Sequence, residues 1–223
     1  AGDIFHDTYG MFVFLISAEE LMKRNFIHVN VLAQPAWSVA AVHEHRVAKN
    51  CNVLGTSLAG VVAFEDRIAT NVLRSRSEVR ADRVGCIGLS GGGNRAALLT
   101  ATHEGIAATV IVGLMTSYEG LLDHNLSHTW MLFPFGWSRY GDWPDIAACR
   151  APQPLLVQYD LDDTLFTEAG MRAADVRLCG HYAGVGHPER YCGQFYPGPH
   201  QFSLAMQDAA FAWLKRHLGE YPR

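Results

Sequence analysis

No apolar run in this sequence approaches the roughly 20 residues needed to cross a bilayer; the longest, residues 11–16, is six. An excess of basic charge is also missing: 18 Lys and Arg face 22 Asp and Glu, a formal charge of −4. That balance offers no electrostatic footprint for nucleic acid, and no membrane partner is expected. The five cysteines (Cys51, Cys86, Cys149, Cys179, Cys192) are odd in number and dispersed, which argues against a disulfide framework. Internal repeats and low-complexity tracts are absent. No charged segment precedes residues 11–16, so no signal peptide is read and the compartment is left open. What is present is 223 residues, 49% hydrophobic and 18% charged, which suits a single domain with a sizeable core.

Periodicity and turn residues divide the chain. Residues 1–6 read as the tail of a strand, 7–10 as a polar turn, 18–24 as a short helix capped by Ser17, and 26–32 as a strand. A loop through Trp37 and His43-Glu44-His45 is expected next, with His43, Glu44 and His45 read as a polar loop or a helix start. An amphipathic helix over 58–73 follows, with Ser57 at its N-cap. Continuous apolar runs at 84–89, 106–112 and 155–159 fit parallel strands buried on both faces. Helices are expected over 168–178 and 202–218, with a short strand at 194–196 between them. Strands alternating with helices predict an α/β fold, a mostly parallel sheet in a three-layer sandwich with helices on both faces. Residues 114–150 break the pattern and read as an irregular aromatic-rich insertion.

The chemistry is concentrated at Gly88-Leu89-Ser90-Gly91-Gly92. This G-x-S-x-G stretch lies between a strand and a helix, the context of a nucleophile elbow that lifts a serine hydroxyl out of the sheet. Side chains at Gly88 and Gly92 would clash where strand and helix approach. Cys86, inside the strand, reads as a small buried hydrophobe. Gly91-Gly92-Gly93-Asn94-Arg95-Ala96 also fits a dinucleotide fingerprint. That use needs an acid at the end of the following strand, and none occurs before Glu119.

A nucleophilic serine needs an imidazole base, and the base needs a carboxylate to orient it. Asp163 follows the strand at 155–159, and His200 lies between the last strand and the last helix. The order Ser90, Asp163, His200 lets three loops meet at the C-terminal ends of parallel strands. The segment Asp160-Leu161-Asp162-Asp163-Thr164 also resembles the D-x-D-x-T loop of haloacid-dehalogenase-type phosphatases, with Asp160 and Asp162 as nucleophile and acid beside Mg²⁺. Those enzymes carry the loop near their start and need a later lysine and acidic pair. After Phe166 the only lysine is Lys215.

With these residues in view, the chain resembles the acetylxylan-esterase-like, dienelactone-hydrolase-related serine hydrolases of the α/β-hydrolase superfamily. The resemblance is carried by residues 83–93, 112–118, 128–131, 151–157 and 206–218. It implies an esterase with Ser90 as nucleophile, His200 as base and Asp163 as acid. Asp160 stands where the family usually has glycine, so Asp160 and Asp162 remain alternative acids. The resemblance also implies oxyanion donors at the Gly91 N–H and near Thr8. His6-Asp7-Thr8 reads as what remains of an oxyanion loop, with the first strands expected to be missing.

Trp130, His128 and Phe135 are candidate substrate-binding residues, with core packing of an irregular segment as the alternative. Cys179, His181, His187 and Cys192 have the residue types of a zinc site but irregular spacing, and no metal site is assigned. The expected activity is cleavage of carboxylic esters, acetyl or another short acyl group, on a small molecule or carbohydrate, without a cofactor. A peptidase or thioesterase on the same triad, the Mg²⁺-dependent phosphatase and a non-catalytic hydrolase-like domain are the alternatives. Homo-oligomerisation is left open.

Overall fold

In the computed structural model the described residues are 14–16, 37–124 and 128–219. The expected strands at 1–6 and 26–32, the turn at 7–10, the helix at 18–24 and Thr8 lie outside them. Strand β1 (Phe14–Ile16), helices α1 (Trp37–Val53) and α2 (Leu58–Arg74), strand β2 (Val84–Leu89), helix α3 (Gly91–Thr102) and strand β3 (Ile106–Val112) come first. Short helices α4 (Tyr118–His124) and α5 (Trp143–Ala147) follow. Strand β4 (Leu155–Asp160), helix α6 (Glu168–Gly184), strand β5 (Tyr191–Tyr196) and helix α7 (Leu204–Leu218) complete the order. The strands form one sheet in the order β1-β2-β3-β4-β5. β1 runs antiparallel to β2, and the other neighbours pair in parallel.

Alternation along the strands splits the core in two. Val84, Cys86, Ile111, Leu155, Val157 and Tyr159 face a cluster shared with α3 and α6, while Ile87, Val110, Val112 and Leu156 pack on Met206, Ala210 and Leu214 of α7. Helices therefore cover both faces of a sheet whose inner strands are apolar on both sides, the reason those strands read as unbroken hydrophobic runs. Cys86 is sealed in the first cluster, and burial pushes its thiol up.

Three boundaries differ from expectation. The segment read as a loop through Trp37 and His43-Glu44-His45 is helix α1. It holds neither glycine nor proline, and among its described side chains Ala48 and Cys51, one turn apart, are the buried ones. Helix α6 runs six residues past Leu178, because Tyr182 continues the buried stripe of Ala174 and Leu178 and its hydroxyl donates to Gln153 O at 2.5 Å. Strand β5 starts at Tyr191, whose hydroxyl donates to Asp175 of α6 at 2.6 Å. The cap at Ser57 is as expected, its side chain accepting from Gly60 N at 3.0 Å.

Beneath α3 lies a buried ion pair. Arg95 of α3 grips Asp66 of α2 with both arms of its guanidinium, Nε to Oδ2 at 2.8 Å and Nη2 to Oδ1, and both residues are only 3% exposed. No single helix among the described residues is long and apolar enough to cross a membrane.

Candidate active site

Parallel pairing brings the C-terminal ends of β2, β3, β4 and β5 to one edge: Leu89 pairs with Val112, Val112 with Gln158, and Asp160 with Tyr196. The loops leaving that edge carry Ser90, Gly113, Asp163 and His200.

Ser90 sits between β2 and α3 with φ 56° and ψ −123°, the one non-glycine residue with positive φ among those described. A non-glycine side chain in such a sparsely populated region costs roughly 1–3 kcal/mol and persists only where its surroundings enforce it. Here they do. Ser90 N–H donates to Val112 O at 2.9 Å, and Asn94 N–H donates back to Ser90 O at 3.1 Å. The strand-helix crossing is backbone on backbone: a Cβ at Gly88 would lie 2.0 Å from Gly92 O. Because α3 begins at Gly91, its first N–H groups lack partners within the helix and point, with the positive end of the dipole, at the space over Ser90.

The loops after β4 and β5 are laced together. Leu161 N–H donates to Tyr196 O at 2.8 Å, Asp162 N–H to Gly198 O at 3.0 Å, and Gly198 N–H to Asp162 Oδ2 at 2.7 Å. Gln158, buried in β4, donates to Met206 O at 3.0 Å and so fixes the start of α7. Within this frame His200 Nδ1 and Asp163 Oδ2 are 2.6 Å apart. Asp163 Oδ1 accepts Leu165 N–H at 2.7 Å. The Asp163 side chain is sealed from solvent, whereas that of His200 is 25% exposed.

Gly113, at the end of β3, joins the two halves. Its N–H donates to Gln158 O at 2.9 Å, its φ is +56°, and a Cβ there would lie 3.2 Å from His200 Cε1 and 3.0 Å from Asp160 Oδ2. Ser90 therefore rests on Val112 while the His200 ring rests on Gly113. Among the described residues no hydrogen bond joins the Ser90 hydroxyl to His200; the strand end between them sets their relation.

The other acids of the loop occupy different settings. Asp162 is exposed and holds Gly198. Asp160 is fully buried; its Oδ2 accepts Gln201 N–H at 3.1 Å and its Oδ1 has no partner. Burial pushes its carboxyl up to about 6, with Gln201 N–H and His200 pulling down and Asp163 pushing up. A sealed carboxylate is a poor nucleophile for an incoming phosphate, which disfavours the D-x-D-x-T use of this loop. One oxygen each of Asp160 and Asp163 and one ring nitrogen of His200 lie within 4.8 Å of one another.

His128 and Trp130 stand on a turn held by α1. Glu44 Oε1 accepts from Thr129 Oγ1 at 2.6 Å and from Trp130 N at 2.7 Å, and Trp130 Nε1 donates to His45 Nδ1 at 2.5 Å. The His128 ring lies 6.1 Å from that of Phe166, beside the acid loop, and both its nitrogens are buried without a partner. Burial, and then His200, hold its imidazole below the usual histidine range against upward pulls from Glu44 and Asp163. Phe135 projects into solvent, 77% exposed. His181 bonds Asp145 at 2.6 Å and His187 bonds Glu189 at 3.2 Å, so the Cys179, His181, His187 and Cys192 set does not converge. Sequence reasoning missed Gly113 and Glu44. A glycine immediately after a buried strand was a signal for the first; the second had none once α1 was taken for a loop.

No family model matches the sequence. A curated relative from Bacillus subtilis (strain 168), named "Putative hydrolase YtaP", is 26% identical over 150 residues, 66% of this chain and 50% of the relative. Among solved structures, a glucuronoyl esterase from Solibacter usitatus superposes with a TM-score of 0.59 at 17% identity, over 70% of this chain and 48% of that one. A glucuronoyl esterase from Teredinibacter turnerae T7901 gives 0.55 at 18% identity, over 70% and 46%. A methylesterase gives 0.51 at 23% identity, over 67% and 33%. The chain thus spans about half the length of the curated relative and of the two glucuronoyl esterases. What the solved structures share with it is the α/β-hydrolase fold, as expected from the sequence.

Proposed function

With an α/β-hydrolase fold as the premise, we propose that this chain is a serine hydrolase that cleaves carboxylic esters through an acyl-enzyme. The observation that carries the reading is the joint placement at one sheet edge of a positive-φ serine and a histidine bonded to a sealed carboxylate. Ser90 Oγ attacks the ester carbonyl carbon as its proton passes to His200 Nε2. The Gly91 N–H stabilises the oxyanion, and Asp163 holds the ring in the tautomer that leaves Nε2 free to accept. Collapse breaks the bond to the alcohol, which leaves with the proton from His200. Water then attacks the acyl carbon with His200 again as base, releasing the acid and regenerating Ser90. The second oxyanion donor, near Thr8 on the family resemblance, lies outside the described residues.

The substrate class we propose is an ester on a carbohydrate. The family resemblance favours acetyl groups on sugar hydroxyls, where the sugar supplies the alcohol. The glucuronoyl esterases and the methylesterase cleave esters in which, by their names, the ester is glucuronoyl or methyl. His128 and Trp130 are the residues proposed to face the substrate, with exposed Phe135 at its rim. The test is hydrolysis of p-nitrophenyl acetate, acetylated xylan and a glucuronoyl methyl ester by the parent and by Ser90→Ala. Turnover by the parent and a loss of about 10³-fold or more in Ser90→Ala are expected. Turnover retained by Ser90→Ala overturns the nucleophile, and a folded parent that neither turns over esters nor reacts with a fluorophosphonate probe favours a non-catalytic domain.

A further inference from the structure

The buried carboxyl of Asp160 has no part in the mechanism above, yet it is among the least exposed polar groups at the site. It ends β4 on the α7 side of the sheet, is fully buried, and leaves Oδ1 without a partner. Burying a polar oxygen unpaired costs free energy, so its retention asks for a role. Its other oxygen accepts the N–H of Gln201, the residue next to His200. Gly113 has no Cβ on this side, and one placed there would touch Asp160 and His200 together. One carboxyl oxygen of Asp160 lies within 4.8 Å of a ring nitrogen of His200 and of one oxygen of the Asp163 carboxylate.

Resting on the serine-hydrolase reading, we propose that Asp160 is a second carboxylate serving the base: a positioning residue that holds the His200 loop through Gln201 and lends its charge to the imidazolium formed when Ser90 attacks. The groups facing it are few. Asp163 approaches from the loop after β4 and His200 from the loop after β5. Gly113 at the end of β3 and Gln201 before α7 bring no charge, and His128 lies beyond His200 with burial keeping it toward the neutral form. A negative charge this close to a cation that is a quarter exposed shifts its balance by about one pH unit at an effective dielectric of about 50, between the protein-surface and bulk-water values. The coupling is reciprocal: what Asp160 does for the imidazolium, the imidazolium does for the carboxylate.

Asp160→Asn keeps an oxygen for Gln201 N–H and removes only the charge. In its pH profile of kcat/KM, the plateau is expected to fall about 10-fold and the acid limb to move down by about one pH unit. A plateau that falls while the limb stays in place means a merely structural role and overturns the proposal. The second measurement needs no catalysis and no Asp160 variant. The ¹³C carboxyl resonance of Asp160 is followed against pH in the parent and in His200→Gln. Its midpoint is expected to rise by about half a unit to one unit when the cation is lost; an unchanged midpoint overturns the coupling. Absence of ester turnover would instead strike the serine-hydrolase reading and leave the ¹³C coupling to be read independently.

Discussion

Two sealed aspartates hold cations in this molecule, and they hold them differently. Between helices α2 and α3, Asp66 and Arg95 are both sealed, and the guanidinium makes two parallel bonds to a carboxylate. In the loops after β4 and β5, Asp163 is equally sealed, but its partner His200 keeps a quarter of its side chain in solvent. Arginine stays charged at any working pH, so the first pair is a fixed brace between α2 and the helix that presents Ser90. An imidazole can exist with or without its second proton, so the second pair can change state while its carboxylate stays put. A sealed acid with a sealed permanent cation makes structure; a sealed acid with a reachable, titratable partner makes a candidate for chemistry.

The largest effect is expected at Asp163→Asn, with kcat for ester hydrolysis falling on the order of 10³–10⁴, the scale on which a triad acid matters when replaced by its amide. The variant should stay folded, because the amide oxygen still accepts Leu165 N–H. Near-parental kcat in a folded Asp163→Asn protein would erase the distinction drawn between the pairs. Next in size, Asp66→Ala strands a buried guanidinium and should cost about 3–5 kcal/mol in urea unfolding. Replacing the pair together, Asp66→Leu with Arg95→Met, should recover most of that loss and leave kcat per folded molecule near the parent's. A double variant as unstable as the single one would mean that the brace acts through more than its charges.

The smallest effect follows from the acidity of Asp160. Its folded-state carboxyl holds a proton up to about pH 6, whereas an unfolded aspartate releases it near 3.9. The folded state therefore binds the extra proton between those values. Stability is gained as pH falls through that window, and ionising the buried group costs stability above it. Asp160→Asn carries no such cost. It should be more stable than the parent by about 2 kcal/mol near pH 8, with the advantage gone by about pH 4. Equal stability of the two proteins at pH 8 would show that the buried carboxylate is better solvated than its setting implies. On the proposed function the same substitution is expected to slow ester hydrolysis, so the site would trade stability for chemistry at this residue.

Legibility from sequence followed the range of the interactions. Strands β2, β3 and β4 are buried on both faces, so apolar runs such as Ile106–Val112 announced them directly. The elbow was equally plain, since Gly88 and Gly92 answer a steric demand made within five residues. Helix α1 was hidden because polar His43-Glu44-His45 resembles loop composition and, among its described side chains, only Ala48 and Cys51 are buried. The Asp66–Arg95 brace was invisible for another reason: its partners lie 29 residues apart on separate helices, and their meeting depends on how those helices dock. Asp160 and Asp163 could be named as rivals from the sequence. Only the paths of the loops after β4 and β5 separate the carboxylate beside Nδ1 of His200 from the one beside Gln201.

The crossing of Gly88 and Gly92 has a mechanical consequence. Where side chains mediate a contact, rotamer changes let the elements slide, and thermal expansion or compression is absorbed there. At this crossing main chain rests on main chain, with no torsion free to yield. Strand β2 and the first turn of α3 should therefore move as one rigid piece. Whatever breathing the sheet undergoes, the Ser90 hydroxyl rides on that piece, and adjustment between Ser90 and His200 must come from the loop that carries His200.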